Sequence, residues 1–333
     1  MFDIFAINLQ LFATITPNNV NGTVASGTMG TGAVNDALSP EMKTFYDMTL
    51  IDEASPQLVY NQFGQKRPIP KNGGKTIEFR KFSALPKATT PIQEGVTPAG
   101  GALEVTKLEA TVEQYGYYIV QSDVLELTSL DNTIIEATKL LGKQAGVTLD
   151  TITRDILMTG LNVSYAGGVE SRSAVTANIT VADVVKIVAK LRAANAPTIN
   201  GDYVAIIHPY VAHDLMRDTE WIEAHKYATP DNLYEGEVGK VGGVRFVQSS
   251  EAKIIADGIF QCLFLGEGAY GVTEITGGGL QTIVKQKGSA GTADPLDQRS
   301  SIGWKAMTTA EILVPEYMVR YECKSSFGEV AAN

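Results

Sequence analysis

The chain has 333 residues, 44% of them hydrophobic, enough to fill real cores and to form two domains at roughly 100–200 residues each. Only 19% are charged against a usual figure of about 25%, and 32 glycines stand among abundant Thr, Ala and Val, a balance that suits strands, turns and buried interfaces. The net charge of −10 argues against a general nucleic-acid binder, because neutralising phosphates takes clustered Lys and Arg.

Met1 to Ala13 are mostly apolar, like a signal core, but Asp3 stands where a basic start is expected and no Lys or Arg precedes Lys43, so secretion is not expected. No run of about 18 apolar residues occurs, and no transmembrane span is expected. Thr14 to Ala37 carry few bulky apolar groups and read as an extended arm that takes its order from neighbours. Ser39 and Pro40 then supply an N-cap and a first helical position, with Met42, Phe45 and Met48 spaced along one face of a short docking helix. Residues 1–50 are read together as an N-terminal arm.

Residues 51–122 hold the most informative stretch. Lys75 to Phe82 form an outgoing strand-like run and Leu103 to Val112 return. Leu85 to Gly101 between them offer three prolines, three glycines and no apolar periodicity, so this tip builds no core of its own. Two-stranded ribbons are marginal in water, and loops beyond about 15 residues are uncommon unless they act on something. The stretch therefore reads as an arm that lies on a neighbouring copy of the same protein.

Ser122 to Glu126 carry a capping-box pattern, and a second start at Thr133 and Glu136 opens a longer helix. Ile134, Leu141, Ala145, Leu149, Ile152 and Ile156 recur at helical gaps and predict one buried stripe. This spine helix runs through Gly142 and Gly146, each unfavourable by about 1 kcal/mol against Ala, which points to a bend or to the close approach of another backbone. It belongs to a separate region, residues 123–178.

A second lobe, residues 179–290, opens on the capping box Thr180 to Asp183 with Val184, Val185, Val188 and Leu191 on an apolar stripe. Tyr203 to His208 predict a buried strand closed by Pro209 and a short helix through Leu215 and Met216, Gly239 to Ser249 a Gly turn feeding a strand, and Phe260 to Leu265 another strand. The lobe reads as α/β with a central sheet. Residues 291–333 return: Ile302 to Val314 and Tyr317 to Cys323, joined by Pro315 and Glu316, read as a hairpin rejoining the region of the spine helix.

Several patterns imitate chemistry. Gly266-Glu-Gly-Ala-Tyr-Gly271 matches a dinucleotide fingerprint in letters, yet β-branched Val272 to Thr276 follow it and no acid lies about 20 residues on, so it reads as a turn. Gly73 to Thr76 resemble the end of a phosphate-binding loop, but Ile69 occupies the place of its first glycine. His208, His213 and His225 show no metal-site spacing, and no Gly-x-Ser-x-Gly elbow occurs. Cys262 and Cys323 sit in apolar runs and read as buried thiols in a reducing compartment. No catalytic, cofactor-binding or metal-binding residue is assigned, no cofactor is expected, and the chain is read as not an enzyme.

Charge is unevenly distributed. Residues 66–87 carry seven bases (Lys66, Arg67, Lys71, Lys75, Arg80, Lys81, Lys87) against Glu78, a balance of +6. Residues 88–155 carry ten acids against four bases, a balance of −6. A basic arm laid over a neighbour's acidic spine would set register and speed encounter, and assembly would then slow as salt rises.

The order of parts, N-terminal arm, extended loop, spine helix, α/β lobe and return strands, resembles the major capsid proteins of tailed phages with the Hong Kong-97-like fold. Val238 to Ser249, Asp294 to Lys305 and Asn8 to Ala13 resemble the branch named after the N-four phage capsid protein. The resemblance implies an α+β fold with an N-terminal arm, an extended β-hairpin loop, a peripheral domain built on the long spine helix, and an α/β axial domain. It implies a virion protein, assembled in the host bacterial cytoplasm, that forms the icosahedral head shell around double-stranded DNA. The implied partners are other copies as hexamers and pentamers, a separate scaffolding protein, a portal and a decoration protein; DNA is met only by non-specific proximity, and no membrane is involved. Some relatives form a Lys–Asn crosslink; Lys87 stands near the loop tip but no motif marks a partner. The alternatives are an encapsulin-like bacterial compartment shell of the same fold, a nucleotide-dependent enzyme resting on Gly266 to Gly271, and a non-shell phage surface or tail subunit.

Overall fold

The computed structural model describes residues 48–54, 58–82, 85, 87–89, 91, 94–95, 100–128, 133–225, 237–289, 294–328 and 330–333. The arm before residue 48, with Ser39, Met42 and Phe45, lies outside them, as do eight of the seventeen tip residues, 86, 90, 92–93 and 96–99.

Two units make up the chain, one from Met1–Glu53, Gly116–Ala145 and Leu280–Lys305, the other from Ala54–Tyr115, Gly146–Gly279 and Ala306–Asn333. The first contains a helix over 48–54 (α1), most of β4 (Glu113–Ser122), α2 (Asp123–Thr128), the first half of α3 (Thr133–Leu157), β12 (Gln281–Lys285) and the start of β13 (Arg299–Ile312). Here β12 and β13 run antiparallel, Gln281 opposite Lys305 and Lys285 opposite Ser301, and β4 also pairs with β13. The Trp304 indole N–H donates to Gln144 Oε1 at 2.7 Å, tying strand to helix. In α1 the expected face is turned: Met48 is exposed and Leu50 is buried. The reason is the approach of α1 to α3 at Gly142, where a Cβ would stand 2.8 Å from the Leu50 carbonyl oxygen.

The second unit holds a sheet ordered β5-β14-β10-β6-β8-β7, with β9 also on β10. Its strands are β5 (Val163–Tyr165), β6 (Tyr203–Ile207), β7 (Glu237–Val241), β8 (Val244–Gln248), β9 (Ile254–Ile255), β10 (Ile259–Leu265) and β14 (Met318–Cys323). β6 and β10 are buried at every residue, as near-continuous apolar runs must be when both faces are covered. Alternate side chains enter two cores. Ala205, Ile207, Cys262 and Phe264 meet α4 (Val181–Ala193) and α5 (Pro209–Met216), while Val204, Ile206, Leu263 and Leu265 meet Tyr60, Phe63, Leu157 and Met158. The expected pairing at the start of α4 forms between Thr180 and Asp183: Thr180 Oγ1 accepts from the Asp183 amide at 3.3 Å and donates to Asp183 Oδ2 at 2.8 Å. A last helix, α6, spans Thr219–His225.

Three expectations need correction. Residues 302–314 and 317–323 do not form a hairpin: Thr308 to Ile312 of β13 pair with β11 (Tyr270–Glu274), whereas β14 pairs with β10 and β5 in the lobe's own sheet. The almost wholly buried β14 lies between β5 and β10 in that sheet, a stronger demand than proximity in sequence. The Gly turn before the 244–248 strand lies at Gly242 and Gly243, both with positive φ, so Gly239 sits within strand β7 of a two-residue hairpin. The buried stripe of α3 is also rotated from the one expected. Ala137, Leu141, Ala145, Leu149, Thr153 and Leu157 are buried, and Ile134, Ile152 and Ile156 only partly so.

Candidate functional site

The strands β2 (Thr76–Phe82) and β3 (Val105–Thr111) form a two-stranded antiparallel sheet with Thr76 opposite Thr111 and Phe82 opposite Val105. Among the described residues no further strand joins this sheet. The return run starts two residues later than read, at Val105 rather than Leu103.

The root of this ribbon is built in. Gln65 and Lys66 (β1) lie parallel to Gly271 and Val272 of β11, and the Ile69 amide donates to the Glu274 carbonyl at 2.8 Å. Gly64 sits where a Cβ would stand 2.7 Å from the Tyr270 ring, so the chain enters along β11 only with glycine there. Residues 70–74 then turn, the Gly73 amide donating to the Pro70 carbonyl at 2.9 Å and Asn72 and Gly74 taking positive φ. The phosphate-loop resemblance at Gly73 to Thr76 is thus a turn before β2. The Val112 amide donates to the Lys75 carbonyl at 2.8 Å and closes the base.

Burial ends part-way along. Phe79 and Ala110 are buried, the Phe79 ring lying against Gly271 and beneath the Arg67 guanidinium, whose carbon is 5.9 Å from the ring centroid. Beyond them Val105, Thr106 and Lys107 are all exposed, and the flanking apolar side chains Leu85 and Leu103 are 62% and 68% exposed. A strand pair whose return strand is exposed along its outer half, and which no further strand joins among the described residues, leaves hydrogen-bonding edges for another molecule. The charges are partly matched within the chain: Lys107 and Arg80 both approach Glu78, at 3.6 and 3.8 Å, and Lys81 pairs with Glu316 at 3.2 Å.

The root is also fixed to the spine: Asp150 of α3 accepts from the Tyr60 amide at 2.7 Å and the Thr153 hydroxyl donates to Asn61 Oδ1 at 2.7 Å, while from β11 the Tyr270 hydroxyl donates to the Tyr60 carbonyl. No apolar periodicity marks Asp150 or Thr153, and sequence reading missed them both.

Elsewhere the chemistry-like patterns have structural roles. Gly266 to Gly271 link strand β10 to strand β11, so no helix N-terminus faces a phosphate. His208 caps α5, its Nδ1 accepting from the Tyr210 amide at 3.2 Å, and burial lowers its pKa. His213 lies 3.4 Å from Asp214; the side chain of His225 is outside the described residues. Cys262 and Cys323 are free and buried on adjacent strands, and their contact together with burial pushes the Cys323 thiol up. Among the described residues no His, Cys, Asp and Glu group could hold a metal ion, and no helix is long and apolar enough to cross a membrane. The densest buried charge is a clasp. Glu322, fully buried on β14, takes two bonds of 2.7 Å from Arg172 and one of 2.8 Å from Gln261.

A family model described as phage capsid protein matches residues 105–320. Comparison with curated proteins returned no match. Among solved structures, the capsid of cyanophage P-SCSP1u is similar at 17% identity and a TM-score of 0.63, over 94% of this chain and 100% of that one. The capsid of Ralstonia phage GP4 is similar at 13% identity and 0.62, over 80% and 88%. The capsid asymmetric unit of cyanophage Pam1 follows at 12% and 0.60, over 93% and 99%. At these identities the structural likeness is one of fold, and the family match favours a phage head over a compartment shell.

Proposed function

This chain belongs to the phage capsid protein family, as a tailed-phage major capsid protein that forms the head shell, and from that premise we propose that its ribbon is the arm tying each copy to the next. The fold is the Hong Kong-97-like one. The protein self-assembles and resides in the virion shell.

The observation that carries the proposal is the two-stranded sheet of β2 and β3, buried at Phe79 and Ala110 and exposed over Val105 to Lys107 of its return strand. A ribbon this narrow gains its missing burial on a neighbour, and closed symmetry repeats that modest contact around each ring. The α/β lobe is the axial domain of hexamers and pentamers, and the α3 region with β4, β12 and the start of β13 is the peripheral one. Assembly takes place in the host bacterial cytoplasm with a separate scaffolding protein and a portal, and a decoration protein binds outside. No catalytic step is involved, and packaged DNA is met by proximity alone, as suits a chain of net charge −10.

Replacing residues 85–103 by a short Gly-containing turn tests this. The shortened protein should keep the circular dichroism and elution volume of the unassembled chain and give no closed particles by negative-stain microscopy with its scaffolding protein supplied. Closed particles at the full-length yield would overturn the reading.

A further inference from the structure

We propose that Asp150 is a proton-operated latch between the spine helix and the root of the ribbon, closed while its carboxyl is neutral and opened when it ionises. The inference concerns a single chain and holds whether or not the ribbon tip lies on a neighbour.

Asp150 is fully buried. Its Oδ1 accepts the Tyr60 amide at 2.7 Å, while its Oδ2 and the nearby Tyr60 hydroxyl are buried without hydrogen bonds. A carboxylate in that position would leave one charged oxygen with no donor, a costly state for a buried group. The proton therefore belongs on Oδ2.

Among the described residues no cation forms an ion pair with this carboxylate. On the same helix Arg154 is committed to Asp155 through Nε and Nη2, at 3.1 and 3.0 Å, and to the Glu251 carbonyl. Lys253 also faces Asp155, at 3.4 Å. From the segment after β8, the Glu251 charge works against ionisation; from β11, the Tyr270 hydroxyl is spent on the Tyr60 carbonyl. Burial pushes the Asp150 carboxyl up to about 7, opposed by the Tyr60 and Asn61 amides and by Arg154.

The sign follows from linkage. A folded pKa of about 7 against an ordinary 3.8 means that the folded chain holds a proton the unfolded one has lost. The stabilisation is therefore full below about pH 3.8, declines as pH rises, and is gone once pH passes about 7. Above that point hydrating the charge parts residues 58–63 from α3, where Asp150 and Thr153 hold them, against the packing of Tyr60 and Phe63 beneath β6 and β10. The ribbon root is then released without unfolding the lobe sheet.

Hydrogen exchange on the full-length unassembled protein reads this directly. After correction for intrinsic rates, protection of a peptide spanning 58–64 should fall about tenfold or more between about pH 6 and about pH 8, while β10 stays protected. Asp150→Asn keeps an acceptor for the Tyr60 amide and cannot ionise, so its 58–64 protection should not depend on pH. No loss of protection in the wild-type chain, or an equal loss in the Asn variant, would overturn the latch. Should that variant fail to fold, infrared difference spectra of the wild-type protein decide: a protonated carboxyl band must vanish near pH 7, and its absence sinks the proposal.

Discussion

Two buried carboxylates, Asp150 and Glu322, sit in one unit and respond to pH in opposite directions. Burial raises both, but at Glu322 the Arg172 and Gln261 hydrogen bonds and the Arg172 and Arg320 charges outweigh it, and its pKa falls below the ordinary 4.5. Its stabilisation is therefore present above about pH 4.5 and lost as pH falls through the depressed folded value. Arg172→Ala removes two of three hydrogen bonds to a fully buried charge, leaving Arg320 Nε at 3.2 Å with no hydrogen bond. Arg172 is itself half exposed, so the loss should be about 2–3 kcal/mol, below the range for a fully buried pair. Urea unfolding at neutral pH measures it, and the difference between variant and wild type should shrink towards acid. A difference that stays constant as Glu322 protonates would mean that Arg172 acts through packing alone. Neither carboxylate was legible in the sequence, because their partners lie 90 and 150 residues away along the chain.

At the scale of elements, periodicity carried the reading where one face alone decides the outcome. The strands of the ribbon, the capped start of α4, the 25-residue α3 and the buried runs of β6 and β10 all follow from local pattern. It failed where the partner is distant. β13 and β14 read as a hairpin because they are adjacent, yet each is claimed by a different sheet. The stripe of α3 was misplaced because apolar counting passes over Thr153 and Asp150, which are buried only because residues 60 and 61 arrive to bond them. The glycines of α3 were the better signal. Gly142→Ala would stabilise an isolated helix by about 1 kcal/mol, but here the new Cβ would lie 2.8 Å from the Leu50 carbonyl and 3.0 Å from Glu53 Cβ. Overpacking against a backbone oxygen should win, lowering stability by about 1–3 kcal/mol. A variant with a higher melting temperature than wild type would show that α1 yields easily and that Gly142 is not a packing requirement.

For the whole molecule, the question is how far charge guides one copy onto the next. The division at residue 88 overstated it, since the acids Glu104 and Glu109 belong to the ribbon, and Arg80 and Lys107 already approach Glu78. Redrawn at the end of β3, residues 66–111 carry eight bases against four acids, and residues 112–155 carry three bases against seven acids. The contrast is then +4 against −4, and a protonated Asp150 trims the second figure to −3. Most of these groups are exposed, so each pair adds little binding energy, yet together they still steer approach and set register. Raising salt from about 0.05 M to about 0.5 M shortens the screening length from roughly 14 Å to roughly 4 Å and should slow assembly severalfold. Light scattering of the wild-type chain with its scaffolding protein would follow the rate. Apolar burial strengthens slightly in salt, so a rate that is flat or rising would assign the encounter to Leu85, Leu103 and the ribbon edges, and would remove the electrostatic component while leaving the arm itself in place.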